Sequence, residues 1–184
     1  TNEDGWLKRG FGSDYNRPLF ALMNPELTYT VSKYQTACGI TDIMMHTLER
    51  YFCQNGDVAL TDHLAEGLLR SVIDAGRIAI ENPEDYEARA TLMWASSLSH
   101  NGLTGCGRDY LMRCHQLEHE LSGMYDRVAH GAGLAVIFPA WAKYVYRNEK
   151  ALPRFSQYAV RVWGIEMDFE HPERTALAGI GATE

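Results

Sequence analysis

A chain of 184 residues, 46% of them apolar, has the size and hydrophobic content for one domain with a real core. Its formal net charge of −7 argues against nucleic acid or an anionic membrane as the partner. No apolar run approaches the ~18 residues of a membrane span, and a signal peptide is not expected. Four cysteines without a C-x-x-C pair read as the reduced thiols of a cytoplasmic protein.

Residues 1–33 differ in character from the rest of the chain. Gly5, Gly10, Gly12, Pro18 and Pro25 interrupt them, and the run Leu19-Phe20-Ala21-Leu22-Met23 predicts a buried strand. Leu27-Thr28-Tyr29-Thr30-Val31 favours extended backbone as well. One or two strands cannot stand without partners, so this piece is expected to complete a sheet whose other strands precede Thr1. Thr1 in place of Met, and a last helix that stops at Ala182-Thr183-Glu184, predict a chain cut at both ends.

From Tyr34 onward the pattern is helical. Ala37, Ile40, Met44, Leu48 and Tyr51 recur at spacings of three and four. Thr61 or Asp62 is expected to cap a helix running to Ile80, and Asn82-Pro83 reads as the N-cap and first residue of the next, which Asn101-Gly102 ends. Residues 102–109 form a glycine-rich connection. A helix then carries His115 and His119, and another starts at His130. The run Ala135-Val136-Ile137-Phe138-Pro139-Ala140-Trp141 is apolar on nearly all sides, which predicts burial, with a kink at Pro139. Helices over Pro153–Trp163, closed by Gly164, and from Pro172 onward complete a mainly α chain.

The segment from Cys114 to His130 holds three of the seven histidines. His115 and His119, four apart, share one helix face, one turn above the other. In a single straight helix His130 would lie roughly 22 Å from His115. If the two meet, the chain must turn between them, and Gly123 followed by Tyr125-Asp126 is where a turn is expected. Asp42 and His46 form a second pair at i,i+4, a spacing that suits a divalent metal. Such pairs also occur simply as solvated surface partners. Here Ile40, Ile43, Met44 and Met45 surround Asp42, and a buried carboxylate without a cation is costly. One ion held by Asp42, His46, His115 and His130 would account for all four polar groups. His63 reads as solvated, His171 as a cap or loop residue, and His100 as a helix-end residue facing the dipole. No G-x-S-x-G, P-loop or G-x-G-x-x-G is present.

Several stretches taken together resemble the iron-containing alcohol dehydrogenases, and most of all their butanol-dehydrogenase-like branch. They are T-N-E-D-G-W-L-K-R-G (1–10), N-P-E-L-T-Y-T (24–30), T-D-I-M-M-H-T-L-E-R-Y-F (41–52), A-T-L-M-W-A-S-S-L-S-H-N-G-L-T-G (90–105), H-Q-L-E-H-E-L-S-G-M-Y-D (115–126) and A-H-G-A-G-L-A (129–135). The resemblance implies a two-domain enzyme with the dehydroquinate-synthase-like architecture. Residues 1–33 would be the tail end of its nucleotide-binding α/β domain, and residues 34–184 its all-α metal-binding domain. It puts the family's metal ligands on Asp42, His46, His115 and His130, and a histidine discussed for proton transfer on His119. It also puts a lysine near the nicotinamide ribose on Lys8 and a residue packing near the nicotinamide on Leu27, where a surface lysine and ordinary core packing are the plain alternatives. The family usually has one residue fewer between the third and fourth ligands, as if Arg127 or a neighbour were inserted. Leu111-Met112 stands where the branch often has Asp-Trp, a change without a physical explanation.

The function so implied is oxidation of a small alcohol or reduction of an aldehyde with NAD or NADP. Fe²⁺ would be the Lewis acid, with Zn²⁺ or another divalent ion suiting the same donors. No nucleic acid or membrane partner is expected, and assembly as a homodimer stays open. The alternatives are a metal-dependent sugar-phosphate cyclase or lyase of the same fold, or a non-catalytic metal-binding helical fragment. The 184 residues alone are expected to bind one divalent ion without turning over alcohols.

Overall fold

A computed structural model describes residues 3–5, 7, 9–53 and 58–184. Seven helices follow one another among them: α1 (Lys33–Tyr51), α2 (Ala59–Glu81), α3 (Tyr86–His100), α4 (Arg113–Met124), α5 (His130–Val145), α6 (Leu152–Trp163) and α7 (Pro172–Thr183). None of these is long and apolar enough to cross a membrane.

The strand expectation for residues 19–31 is not met. Among the described residues no strand element forms, and Pro25–Thr28 makes a 3₁₀ turn capped by the Asn24 side chain. Leu19, Phe20 and Leu22 are almost fully exposed. β-propensity needs a pairing neighbour to be realised, and the described residues offer none.

The helix starts also shift. Helix α2 begins at Ala59, before Thr61 and Asp62, because the Asp62 carboxylate turns inward to ion pairs instead of capping. Asn82 ends α2, and Asp85, whose side chain accepts from the Ala88 N–H at 2.9 Å, is the N-cap of α3. Asn101 does close α3, followed by Gly102 at φ 91°. Pro139 lies inside α5 without ending it.

Helix α1 is the axis of the bundle and packs on α2, α3 and α5. Ser32 caps it by accepting from the Gln35 N–H. Met45, Leu48, Tyr51 and Phe52 face a cluster completed by Phe138 of α5, Phe155 and Tyr158 of α6 and Ile180 of α7. The Phe52 and Phe155 rings stack at 4.2 Å, and burying each such side chain contributes about 2 kcal/mol. Ile43 faces a second cluster with Leu68, Val72 and Leu92. The remaining face of α1 is polar: Asp42, His46 and Glu49, at i, i+4 and i+7.

Helices α6 and α7 pair tightly because Gly179 has no Cβ; one built there would lie 2.5 Å from Ala159 Cβ. Gly164 ends α6 in the left-handed region at φ 69°, with the Gly164 and Ile165 N–H groups returning to Val160 and Ala159. Asp62 ties the bundle together at one end, accepting from Arg108 and from Arg154 of α6, each at 2.5 Å. Arg108 also donates to the carbonyls of Arg50 and Tyr51, which satisfies the end of α1. The all-round burial expected of α5 does not occur: Val136 and Tyr144 lie on a solvent-facing stripe.

Candidate metal centre

Three helices bring the four predicted ligands together. Helix α1 supplies Asp42 and His46, α4 supplies His115, and α5 opens on His130. The turn that His115 and His130 require runs through residues 125–129, and Arg127 lies in it, exposed. An added residue there lengthens a surface turn and leaves both helices intact.

Asp42 Oδ1 is the focus. It lies 3.3 Å from His115 Nε2, 3.3 Å from His130 Nε2 and 3.7 Å from His46 Nε2. Two donors each about 2.1 Å from one tetrahedral ion are about 3.4 Å apart, so these spacings match the edges of a single coordination shell. The group Asp42, His115 and His130 has its donor atoms all within 4.8 Å of one another.

The outer nitrogens strengthen the fit. His115 Nδ1 donates to Glu49, and His130 Nδ1 donates to Glu118. Both carboxylate side chains are buried. An imidazole that donates Nδ1–H to a carboxylate is fixed in orientation and tautomer, with Nε2 free to bind an ion. Glu49 also accepts from the Cys114 N–H at 2.5 Å and the His115 N–H at 3.1 Å, binding the start of α4 to α1. Among the described residues Glu118 Oε1 has no hydrogen-bond partner, and neither has the buried His46 Nδ1. The donor set fits a divalent cation.

Two glycines of α5 make the approach possible. A Cβ on Gly131 would lie 2.1 Å from the Cys38 carbonyl oxygen, so α5 rests directly on the α1 backbone one turn before Asp42. A Cβ on Gly133 would collide with the Glu118 carboxylate.

Electrostatics follow from the crowding. Burial alone would raise the Asp42 carboxyl, but the His100 and His115 imidazoles beside it hold it far below the usual carboxylate range. Burial, then His100 and His115, push His46 down to about 3, so its ring is neutral and ligand-ready. Burial opposes a charge on His115 too, yet Asp42 and Glu49 outweigh it and raise that imidazole to about 9.

The other predicted residues fall at different distances from this focus. His119 is exposed on α4, its ring 5.3 Å from that of His130 and 6.3 Å from that of His115. Leu27 is 77% exposed in the 3₁₀ turn before α1, which excludes core packing as its role in this chain. Lys8 lies outside the described residues. His63 is exposed, and His171 precedes α7 and pairs with Glu173. A cavity of about 950 Å³ opens beside Glu49, lined by Arg108, Leu111, Arg113, Trp141 and Tyr144 among others, and none of the histidines borders it.

Three participants escape the sequence reading. Glu49 and Glu118 could have been found from spacing, at seven residues from Asp42 and three from His115. His100 could not: it faces the site as well as the end of α3, its Nε2 3.5 Å from Asp42 Oδ2 and its ring 3.8 Å from that of His46.

Residues 36–182 match the model of the Fe-containing alcohol dehydrogenase family, C-terminal. The chain is 47% identical over 173 residues to NADH-dependent butanol dehydrogenase A of Clostridium acetobutylicum, covering 94% of this chain and 43% of that protein. It is 37% identical over 159 residues to the NADPH-dependent aldehyde reductase YqhD of Escherichia coli, covering 86% of this chain and 40% of that one. The crystal structure of NADH-dependent butanol dehydrogenase A from Thermotoga maritima superposes with a TM-score of 0.90 at 38% identity, over 100% of this chain and 44% of that one. The chain thus spans less than half the length of the relatives it matches.

Proposed function

Because this chain belongs to the Fe-containing alcohol dehydrogenase family, we propose that the whole protein is a metal-dependent, NAD(P)-linked alcohol dehydrogenase or aldehyde reductase. Residues 34–184 are its metal-binding domain and residues 1–33 belong to its nucleotide-binding domain. The observation that carries this reading is the convergence of Nε2 atoms on Asp42 while His115 and His130 donate their outer N–H groups to buried carboxylates. Exposed Phe11, Leu19 and Leu22 support assigning the first 33 residues to another packing unit.

Asp42, His46, His115 and His130 would hold a divalent ion, Fe²⁺ by family, which would polarise the alcohol or carbonyl oxygen. The chain's own groups do the rest. Glu49 and Glu118 keep two imidazoles aimed inward, and Asp42 offers the negative charge. His119, one turn from His115 and exposed to solvent on its helix, carries the proton between the substrate oxygen and water. By the family resemblance Lys8 and Leu27 would serve the nicotinamide cofactor, which would supply the hydride chemistry at the carbinol carbon. A cytoplasmic location accords with four unpaired thiols, Cys38, Cys53, Cys106 and Cys114. A sugar-phosphate cyclase would need free cations beside the histidines; Arg50, the basic neighbour of His46, donates Nη1 to the His46 and Ser99 carbonyls instead.

The test is metal analysis and NAD(P)H oxidation with butyraldehyde, both on the full-length protein. One ion per chain is expected, lost in His115→Ala and His130→Ala together with turnover. Unchanged stoichiometry in both variants would sink the assignment.

A further inference from the structure

We propose that His100 is a fifth donor of the metal centre, binding from the side of Asp42 Oδ2, a role that rests on the metal-centre reading above. The four ligands implied by the family account for only one oxygen of Asp42. Its second oxygen faces His100 Nε2 at 3.5 Å, and Asp42, His46 and His100 form a second group of donor atoms within 4.8 Å of one another.

The outer nitrogen of His100 is already committed. Nδ1 lies 2.8 Å from the Ser96 carbonyl oxygen, which can only accept, so Nδ1 carries the proton. The Ser99 hydroxyl donates to the same carbonyl and accepts from the ring. In the neutral ring Nε2 then holds a lone pair aimed at a carboxylate oxygen, an arrangement that a cation between them relieves. His100 therefore shares with His115 and His130 the outer hydrogen bond typical of a ligating imidazole. His46, whose Nδ1 has no partner among the described residues, lacks it.

The fold holds His100 in this place. Arg50, buried in α1, donates to the carbonyl of Ser99 and to that of His46, which ties the last turn of α3 to α1 beside the site. The Arg50 guanidinium is covered by the Tyr110 ring at 5.1 Å. Ring contact between His100 and His46 at 3.8 Å closes that side of the cluster.

The experiment uses the full-length protein loaded with Co²⁺, whose visible bands are weak in five-coordination and intense in four-coordination. The unaltered protein and the variants His100→Leu and His100→Gln are compared, each first checked for helix content by circular dichroism. One Co²⁺ per chain is expected in all three, with bands that intensify in both variants and a Kd raised tenfold or more. Spectra and Kd unchanged in both variants would overturn the proposal and leave His100 as an ion-pair partner of Asp42. Two Co²⁺ per chain, falling to one in the variants, would also overturn it in favour of a second ion on Asp42, His46 and His100. Absence of Co²⁺ binding by the unaltered protein would overturn the metal centre itself, and the same loss confined to His115→Ala would leave it standing.

Discussion

Gly133 is the surface against which the Glu118 carboxylate rests: a Cβ on the glycine would lie 2.8 Å from Glu118 Cγ and 2.9 Å from Oε1. A residue that binds nothing thereby decides where His130 points. Gly133→Ala is expected to push Glu118 aside, release His130 and weaken metal affinity by about 10- to 100-fold, the usual cost of losing an outer partner. Competition with a chelator measures it. Glu118→Ala should give the same loss without the steric change, and equal affinity in both variants and the unaltered protein would refute the link.

His119 lies beside two proposed ligands and is proposed to move a proton instead of binding the ion. His119→Gln should leave metal content unchanged and lower kcat by about 100-fold or more, since general acid–base groups contribute on that scale. Loss of metal from this variant would make His119 a ligand and remove it from the proton path.

Asp62 governs acid stability. Burial alone would raise its carboxyl, but Arg154 and Arg108 outweigh burial and hold it below the ordinary value. A carboxylate depressed in the folded state adds stability above its unfolded value near pH 4 and loses it as pH falls through the folded value. Asp62→Asn takes the carboxylate away from two arginines and should cost about 3 kcal/mol at pH 7. The difference from the unaltered protein should shrink below about pH 4, as followed by urea unfolding across pH.

The thiols should react unequally. Cys114 is fully buried, and burial followed by the Glu49 charge pushes its thiol up to about 12, whereas Cys106 is exposed. Iodoacetamide at pH 8 is expected to label Cys106 and spare Cys114 in the folded protein, read by peptide mass. Labelling of Cys114 at the rate of Cys106 would show that α4 opens locally from α1.

Helical periodicity made most of the bundle readable, because apolar positions of α1 such as Met44, Leu48 and Tyr51 repeat with the helix itself. The same spacing brought Asp42 next to His46, and the length of helix between His115 and His130 demanded a turn. What stayed hidden depends on contacts between distant segments. His100 reads as a helix-end residue until Arg50 is seen fastening Ser99 to α1. Asp62 looks like a cap until Arg108 and Arg154 arrive from far along the chain. The strand expected at Leu19–Met23 failed for the complementary reason: local preference for extension counts only where another strand lies beside it.

His115 and Asp42 face each other across 73 positions of sequence, and Gly131 seats α5 against the backbone of α1. Donors so far apart in the chain meet only after α1, α4 and α5 have docked, and the loops between them close late. An ion is therefore not expected to nucleate this bundle as zinc nucleates a small finger. Metal loading would follow assembly of the core of Phe52, Phe138 and Phe155, so that a newly made chain would fold before it meets its ion.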